Sequence, residues 1–181
     1  MKKLSIFIIL LMCLLKKNEK QVTIKDVANA TYRAEGIRGI RPMLDGEHYT
    51  QISSDGKRLV KYSFKTGKEV ATIFDVETAR DCTIKHFDDY IMSPNESLIL
   101  IQTDTKPIYR HSFTANYYIF NVKNNKMEPL STGGPQQVPL FSPDGNQIAF
   151  VRNNNIYLVK LLYNNSESQI TTDGKYNEVL N

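Results

Sequence analysis

The sequence predicts an all-β fold built from repeated antiparallel meanders, and three observations carry that prediction. Three turn segments align without gaps: Ile52-Ser53-Ser54-Asp55-Gly56, Met92-Ser93-Pro94-Asn95-Glu96 and Phe141-Ser142-Pro143-Asp144-Gly145. Each leads into a short run of β-branched, aliphatic or aromatic residues: Leu59-Val60-Lys61-Tyr62-Ser63, Leu98-Ile99-Leu100-Ile101-Gln102 and Ile148-Ala149-Phe150-Val151. A further strand-length run comes in each unit after a second polar stretch. Antiparallel units of about 40 to 50 residues, with four strands at most, are the signature of β-propeller blades. The sequence holds about three of them.

At the N-terminus, Lys2-Lys3, an apolar run from Leu4 to Leu15 and then Lys16-Lys17 have the layout of an export segment, so residues 1–20 are expected to be a signal peptide or signal anchor. The run is too short to span a bilayer comfortably, which takes about 20 residues. Cys13 weakly matches a lipoprotein processing site, although Met12 stands where a small residue is preferred. Thr23 is placed to cap a short helix through Ile24 to Ala28. The first unit then gives strands over Leu59–Ser63 and Val70–Phe74. The second gives Leu98–Gln102 and Tyr117–Phe120, and the third gives Ile148–Val151 and Ile156–Val159. Gln169-Ile170-Thr171-Thr172-Asp173-Gly174 is expected to open a further strand and turn that the chain leaves incomplete.

Charge excludes one class of partner. The net charge of +4 lies entirely within residues 1–20, which hold five Lys and one acidic residue, and residues 21–181 are neutral. No basic stripe survives for a nucleic acid to contact. Cys82 is then the one cysteine outside the export segment and reads as a part-buried free thiol.

The turn spacing locates an insertion. Ser53 and Ser93 are 40 residues apart, Ser93 and Ser142 are 49 apart, and the surplus falls around Tyr109-Arg110-His111-Ser112-Phe113-Thr114-Ala115. Interruptions of a repeat are common places for function. Nucleophilic hydrolysis needs a Ser, a His and a carboxylate together, but only His48, His86 and His111 are available and no G-x-S-x-G elbow occurs. His111 and Ser112, if on a strand, would face opposite ways. No metal or cofactor motif is found, and Asp88, Asp89 and Asp144 read as turn and strand-end residues. Three triplets, beginning at Asn29, Asn95 and Asn164, fit the glycosylation acceptor pattern only as short matches. Tyr117, Tyr118 and Phe120 read as blade packing. Arg110 is the candidate binding residue, because a guanidinium presents a planar fork of donors to a carbonyl or carboxylate. The competing reading pairs it with an acid or stacks it on Tyr109 or Phe113.

These residues carry a resemblance. The segment from Tyr109 to Ala115, with Phe141-Ser142-Pro143-Asp144-Gly145-Asn146, Ile148-Ala149-Phe150-Val151-Arg152, Asn154-Asn155-Ile156-Tyr157 and Ile170-Thr171-Thr172-Asp173-Gly174, resembles the N-terminal propeller of dipeptidyl peptidase IV-like serine peptidases of the prolyl oligopeptidase clan. The resemblance covers most of residues 22–181. It implies part of an eight-bladed propeller over 21–181 and a separate α/β-hydrolase domain, absent from this chain, that removes N-terminal dipeptides with Pro or Ala second. It also implies that Arg110, in the matching R-H-S motif, contacts the substrate carbonyl. The chain by itself is then expected to position peptide N-termini without cleaving them, in an exported, periplasmic or membrane-anchored protein that could pair with a second copy. The alternative is a non-enzymatic periplasmic scaffold of the TolB-like kind, which has no reason to carry the Arg110 insertion.

Overall fold

The computed structural model describes residues 21–33, 39–176 and 178. The expected export segment, with Cys13, lies outside the described residues. No helix among the described residues is long and apolar enough to cross a membrane. The chain divides into two units, Met1–Ile37 and Arg38–Asn181.

In the first unit, helix α1 (Ile24–Ala28) forms where the sequence predicts it. Thr23 Oγ1 accepts from Asp26 N at 3.1 Å, while the Asp26 carboxylate accepts from Thr23 N at 3.0 Å, so two otherwise orphaned donors are satisfied reciprocally. The bond from the Thr23 hydroxyl, at 2.7 Å, holds the Asp26 carboxyl below its ordinary pKa.

The second unit holds three four-stranded antiparallel sheets among the described residues. The first contains β1 (Arg41–Pro42), β2 (His48–Ile52), β3 (Arg58–Ser63) and β4 (Glu69–Asp75). The second contains β5 (Asp89–Met92), β6 (Leu98–Pro107), β7 (Phe113–Asn121) and β8 (Lys126–Pro129). The third contains β9 (Gln137–Phe141), β10 (Gln147–Arg152), β11 (Asn155–Lys160) and β12 (Ser166–Gln169). In every sheet each strand pairs with its neighbour in sequence, which is the meander of a propeller blade.

The repeated turns share one hydrogen-bond design. Ser53, Ser93 and Ser142 each accept at Oγ from the backbone N–H five residues on, at 2.8, 3.0 and 3.0 Å. Each hydroxyl donates to the side-chain oxygen two residues on, of Asp55, Asn95 and Asp144. That oxygen in turn accepts from the N–H of Lys57, Ser97 and Asn146, at 3.1 Å in all three. One position in each turn takes positive φ, 68° at Gly56, 57° at Glu96 and 71° at Gly145. Glycine adopts this region without strain, and Glu96 occupies it as a non-glycine.

One sequence expectation needs correction. Gln169 ends β12, the outer strand of the third blade, and opens no new strand. Residues 170–174 fold back on β11 instead: Thr171 Oγ1 accepts from Ile156 N at 2.9 Å, and Asn155 Oδ1 accepts from Gly174 N at 3.0 Å. Local side-chain acceptors thus take backbone donors that a ladder would otherwise use. The first sheet also reaches four strands differently. Measured from the Ser turns, β2, β3 and β4 match β5, β6 and β7, so its fourth member is the two-residue β1 that precedes them.

Strand alternation sends successive side chains to opposite faces. From the second blade, Tyr90, Ile99, Ile101, Phe120 and Met127 pack with Leu59, Phe74 and Phe87. On its other face, Leu100, Ala115, Tyr117, Ile119 and Leu130 pack with Ile148, Phe150 and Val159 of the third blade. The second blade is therefore buried on both faces and forms the rigid base of the insertion.

Candidate functional site

The insertion is a lengthened hairpin. β6 and β7 contain 10 and 9 residues, against 6 each in β10 and β11. The surplus extends both strands past Gln102 and Tyr117, to Pro107 and from Phe113. At its tip Ser112 O accepts from Ile108 N at 2.8 Å and from Tyr109 N at 3.1 Å, closing a tight loop. Arg110 sits in that loop, exposed. Among the described residues it has no hydrogen bond, ion pair or ring contact, so neither the pairing nor the stacking weighed for it is present.

Two other arginines show what an engaged guanidinium looks like here. Arg41 Nη2 lies 2.7 Å from Asp89 Oδ1, and its guanidinium stands 4.2 Å from the centroid of the Tyr90 ring. Arg152 Nη2 lies 2.6 Å from Glu167 Oε1, its Nη1 donates to Ser131 Oγ, and it stacks 4.0 Å over Tyr157. Only 11% of the Arg152 side chain is exposed. These two fix structure, whereas Arg110 has its donors free among the described residues.

Beside the tip lies a cavity of about 520 Å³. His111, Ser112 and Phe113 line it from the hairpin, Asp89 from β5, and Val138 and Leu140 from β9. His111 and Ser112 lie in the loop before β7, so the alternation argument that separated them does not apply. Both reach the same cavity, with no hydrogen bond between them among the described residues. Val138 combines φ 46° with an exposed side chain, an uncommon conformation for a β-branched residue.

Residues 93–181 match the family described as Dipeptidyl peptidase IV (DPP IV) N-terminal region, a span that contains the whole insertion. The solved dipeptidyl peptidase 4 of Porphyromonas gingivalis is 42% identical, with a TM-score of 0.79 over 91% of this chain and 24% of its own. The blades are a portion of a dipeptidyl peptidase IV-like N-terminal propeller. Two further relatives agree. Prolyl endopeptidase FAP of Homo sapiens is 29% identical over 163 residues, 90% of this chain and 20% of its own length. Dipeptidyl peptidase 4 of Trichophyton equinum is 30% identical over 156 residues, 85% of this chain and 19% of its own. The chain thus spans about a fifth to a quarter of the length of these three relatives.

Within this dipeptidyl peptidase IV-like portion, the three histidines are dispersed. His48 Nδ1 is 2.7 Å from Asp45 Oδ2, and His86 contributes its carbonyl to Thr103 Oγ1 at 3.2 Å. No group of three or more His, Cys, Asp or Glu is arranged to hold a metal among the described residues. Asp144 is a turn residue as expected, and Asp89 opens β5 while holding Arg41. Asp88 does more than the sequence suggests, since its carboxylate receives Thr105 N from the hairpin at 3.0 Å. Tyr117 and Phe120 are buried and Tyr118 half-buried, in line with blade packing. Burial pushes the Tyr117 phenol up to about 12. Cys82 is a half-buried free thiol, raised by its burial. Of the glycosylation triplets, Asn95 spends its carbonyl oxygen inside the Ser93 turn. Sequence reasoning missed Val138 and the apolar wall of the cavity, because no residue type announces a left-handed valine.

Proposed function

We propose that this chain supplies the substrate-positioning part of an exported serine exopeptidase that releases dipeptides from N-termini with Pro or Ala in the second position. The names of its relatives, two dipeptidyl peptidases 4 and a prolyl endopeptidase, support the reaction class. The observation that carries this chain's share is Arg110, without a partner among the described residues, at the tip of a braced hairpin whose His111, Ser112 and Phe113 line a cavity.

In this reading the Arg110 fork donates to a backbone carbonyl of the bound peptide, and so fixes where the scissile bond lies. Bond cleavage belongs to a Ser, Asp and His supplied by a hydrolase domain of the whole enzyme; His48, His86 and His111 take no part in it. The reaction calls for no cofactor or metal. The enzyme works in the periplasm or held at its membrane through residues 1–20, and pairing with a second copy is a property of the whole protein.

The test is release of p-nitroaniline from Gly-Pro-p-nitroanilide by the intact protein that carries these blades. Release that weakens in Arg110→Ala supports the reading. An intact protein with no such activity returns the blades to the role of a binding scaffold.

A further inference from the structure

The hairpin that carries Arg110 does not continue the sheet in a straight line. Its ladder runs in register from Leu98↔Asn121 to Thr103↔Asn116 and resumes at Lys106↔Thr114, so Asp104 and Thr105 stand opposite Ala115 alone. Surplus residues on one strand bend it and re-aim whatever lies beyond. Asp104 takes φ 53° to make the bend.

Side chains hold this bulge from several directions. Thr105 N donates to Asp88 Oδ2 at 3.0 Å. Thr105 Oγ1 accepts from Gln102 Nε2 at 2.8 Å, and Gln102 Oε1 accepts from Tyr117 Oη at 3.0 Å. Asn116 Nδ2 donates to Asp104 Oδ2 at 2.9 Å. Across the bend, Ala115 exchanges both backbone bonds with Gln136, at 3.0 and 2.8 Å, and Gln136 Oε1 accepts from Tyr117 N at 3.1 Å. Gln102, Tyr117 and Gln136 are all buried.

A buried phenol and amide are a poor source of stability compared with well-packed apolar side chains, since each must be stripped of water before it bonds. What such a chain contributes is a single geometry. Here the geometry belongs to the point where the hairpin leaves the blade, and Arg110 stands five residues beyond Thr105.

We propose that Asp88, Gln102 and Tyr117 are positioning residues that fix the angle of the hairpin and thereby the place where Arg110 presents its donors. The proposal rests on the substrate-contact reading above. Asp88 is the variant to use, because its side chain is exposed and its loss leaves both blade cores intact.

In the intact enzyme, Asp88→Ala raises KM for a Gly-Pro substrate by about 3- to 10-fold with kcat little changed, as expected for one lost charge-assisted bond. Asp88→Asn, which keeps an acceptor, restores most of it. In an Arg110→Ala background, Asp88→Ala adds nothing further. Without any assay of activity, Asp88→Ala speeds amide exchange across residues 106–114 and leaves 93–102 at the parent rate. Unchanged exchange across 106–114 overturns the proposal, and so do KM effects of the two substitutions that simply multiply. A parent-like KM in Arg110→Ala alone sinks the substrate reading, not the pinning, which the exchange experiment decides by itself.

Discussion

At its start β6 leaves the Ser93 turn, and at its far end it enters the hairpin tip that carries Arg110. In the turn, Ser93 Oγ both donates and accepts, Asn95 Oδ1 receives three donors, and little is left to offer a ligand. At the tip the backbone is tied by Ser112 while Arg110 engages nothing among the described residues. Both segments are short, polar loops between the same kind of strands. What separates the two loops is whether their side-chain hydrogen-bonding capacity is already spent, and neither polarity nor exposure alone makes that distinction.

Both ends of β6 depend on the blade core, and the largest effect is expected there. Phe120→Ala removes a fully buried ring that meets Phe74 at 4.8 Å between centroids, and a loss of about 3–5 kcal/mol is expected. Denaturant unfolding measures it, and a loss below about 1 kcal/mol would mean that the two blades are not packed as described. Next comes Ser93→Ala, which orphans Leu98 N and removes one donor from the Asn95 carbonyl. About 1–2 kcal/mol is expected by the same method, and Ser142→Ala behaves alike if the turns are truly equivalent.

A third prediction concerns strain near the site. Val138→Gly relieves a left-handed β-branched residue whose side chain is exposed, so a gain of about 1 kcal/mol in stability is expected, read as a rise in Tm. A drop in Tm would show that the valine is held there by packing. The last effect appears only at high pH. The folded Tyr117 phenol is raised to about 12 from an ordinary value near 10, so the folded state holds its proton more tightly than the unfolded chain does. Its contribution to stability is whole below about pH 10 and is lost as pH climbs toward 12, at no more than about 1.4 kcal/mol per pH unit. Tyr90, also raised by burial, adds to the same trend. Tyr117→Phe should flatten the slope in a pH series of unfolding curves.

Much of the scaffold was legible because its signals are local. The Ser turns, the alternating runs from Leu59, Leu98 and Ile148, and the Thr23 cap each involve residues within a few positions of one another, where residue type and spacing are enough. The insertion was legible as a departure from that spacing. The details that aim it were not, since Asp88 meets Thr105 and Ala115 meets Gln136 across separate strands. β1 is two residues long and has no period to read. Gln169-Ile170-Thr171 looked like a new strand because it is rich in strand formers, yet Thr171 bonds back to Ile156 and removes the partner a ladder would need. Arg110 could be proposed from its residue type and motif, but its lack of a partner among the described residues is legible only in three dimensions.

The most direct test sets Arg110, without a partner among the described residues, against the engaged Arg152. In the intact protein, kcat/KM for the proposed Gly-Pro substrate and Tm are measured for Arg110→Ala and Arg152→Ala side by side. Arg110→Ala is expected to lose about 10- to 100-fold in kcat/KM with stability within about 0.5 kcal/mol of the parent, whereas Arg152→Ala loses about 1–3 kcal/mol of stability. An Arg110→Ala variant with parent-like kcat/KM, or one that melts as early as Arg152→Ala, contradicts the account.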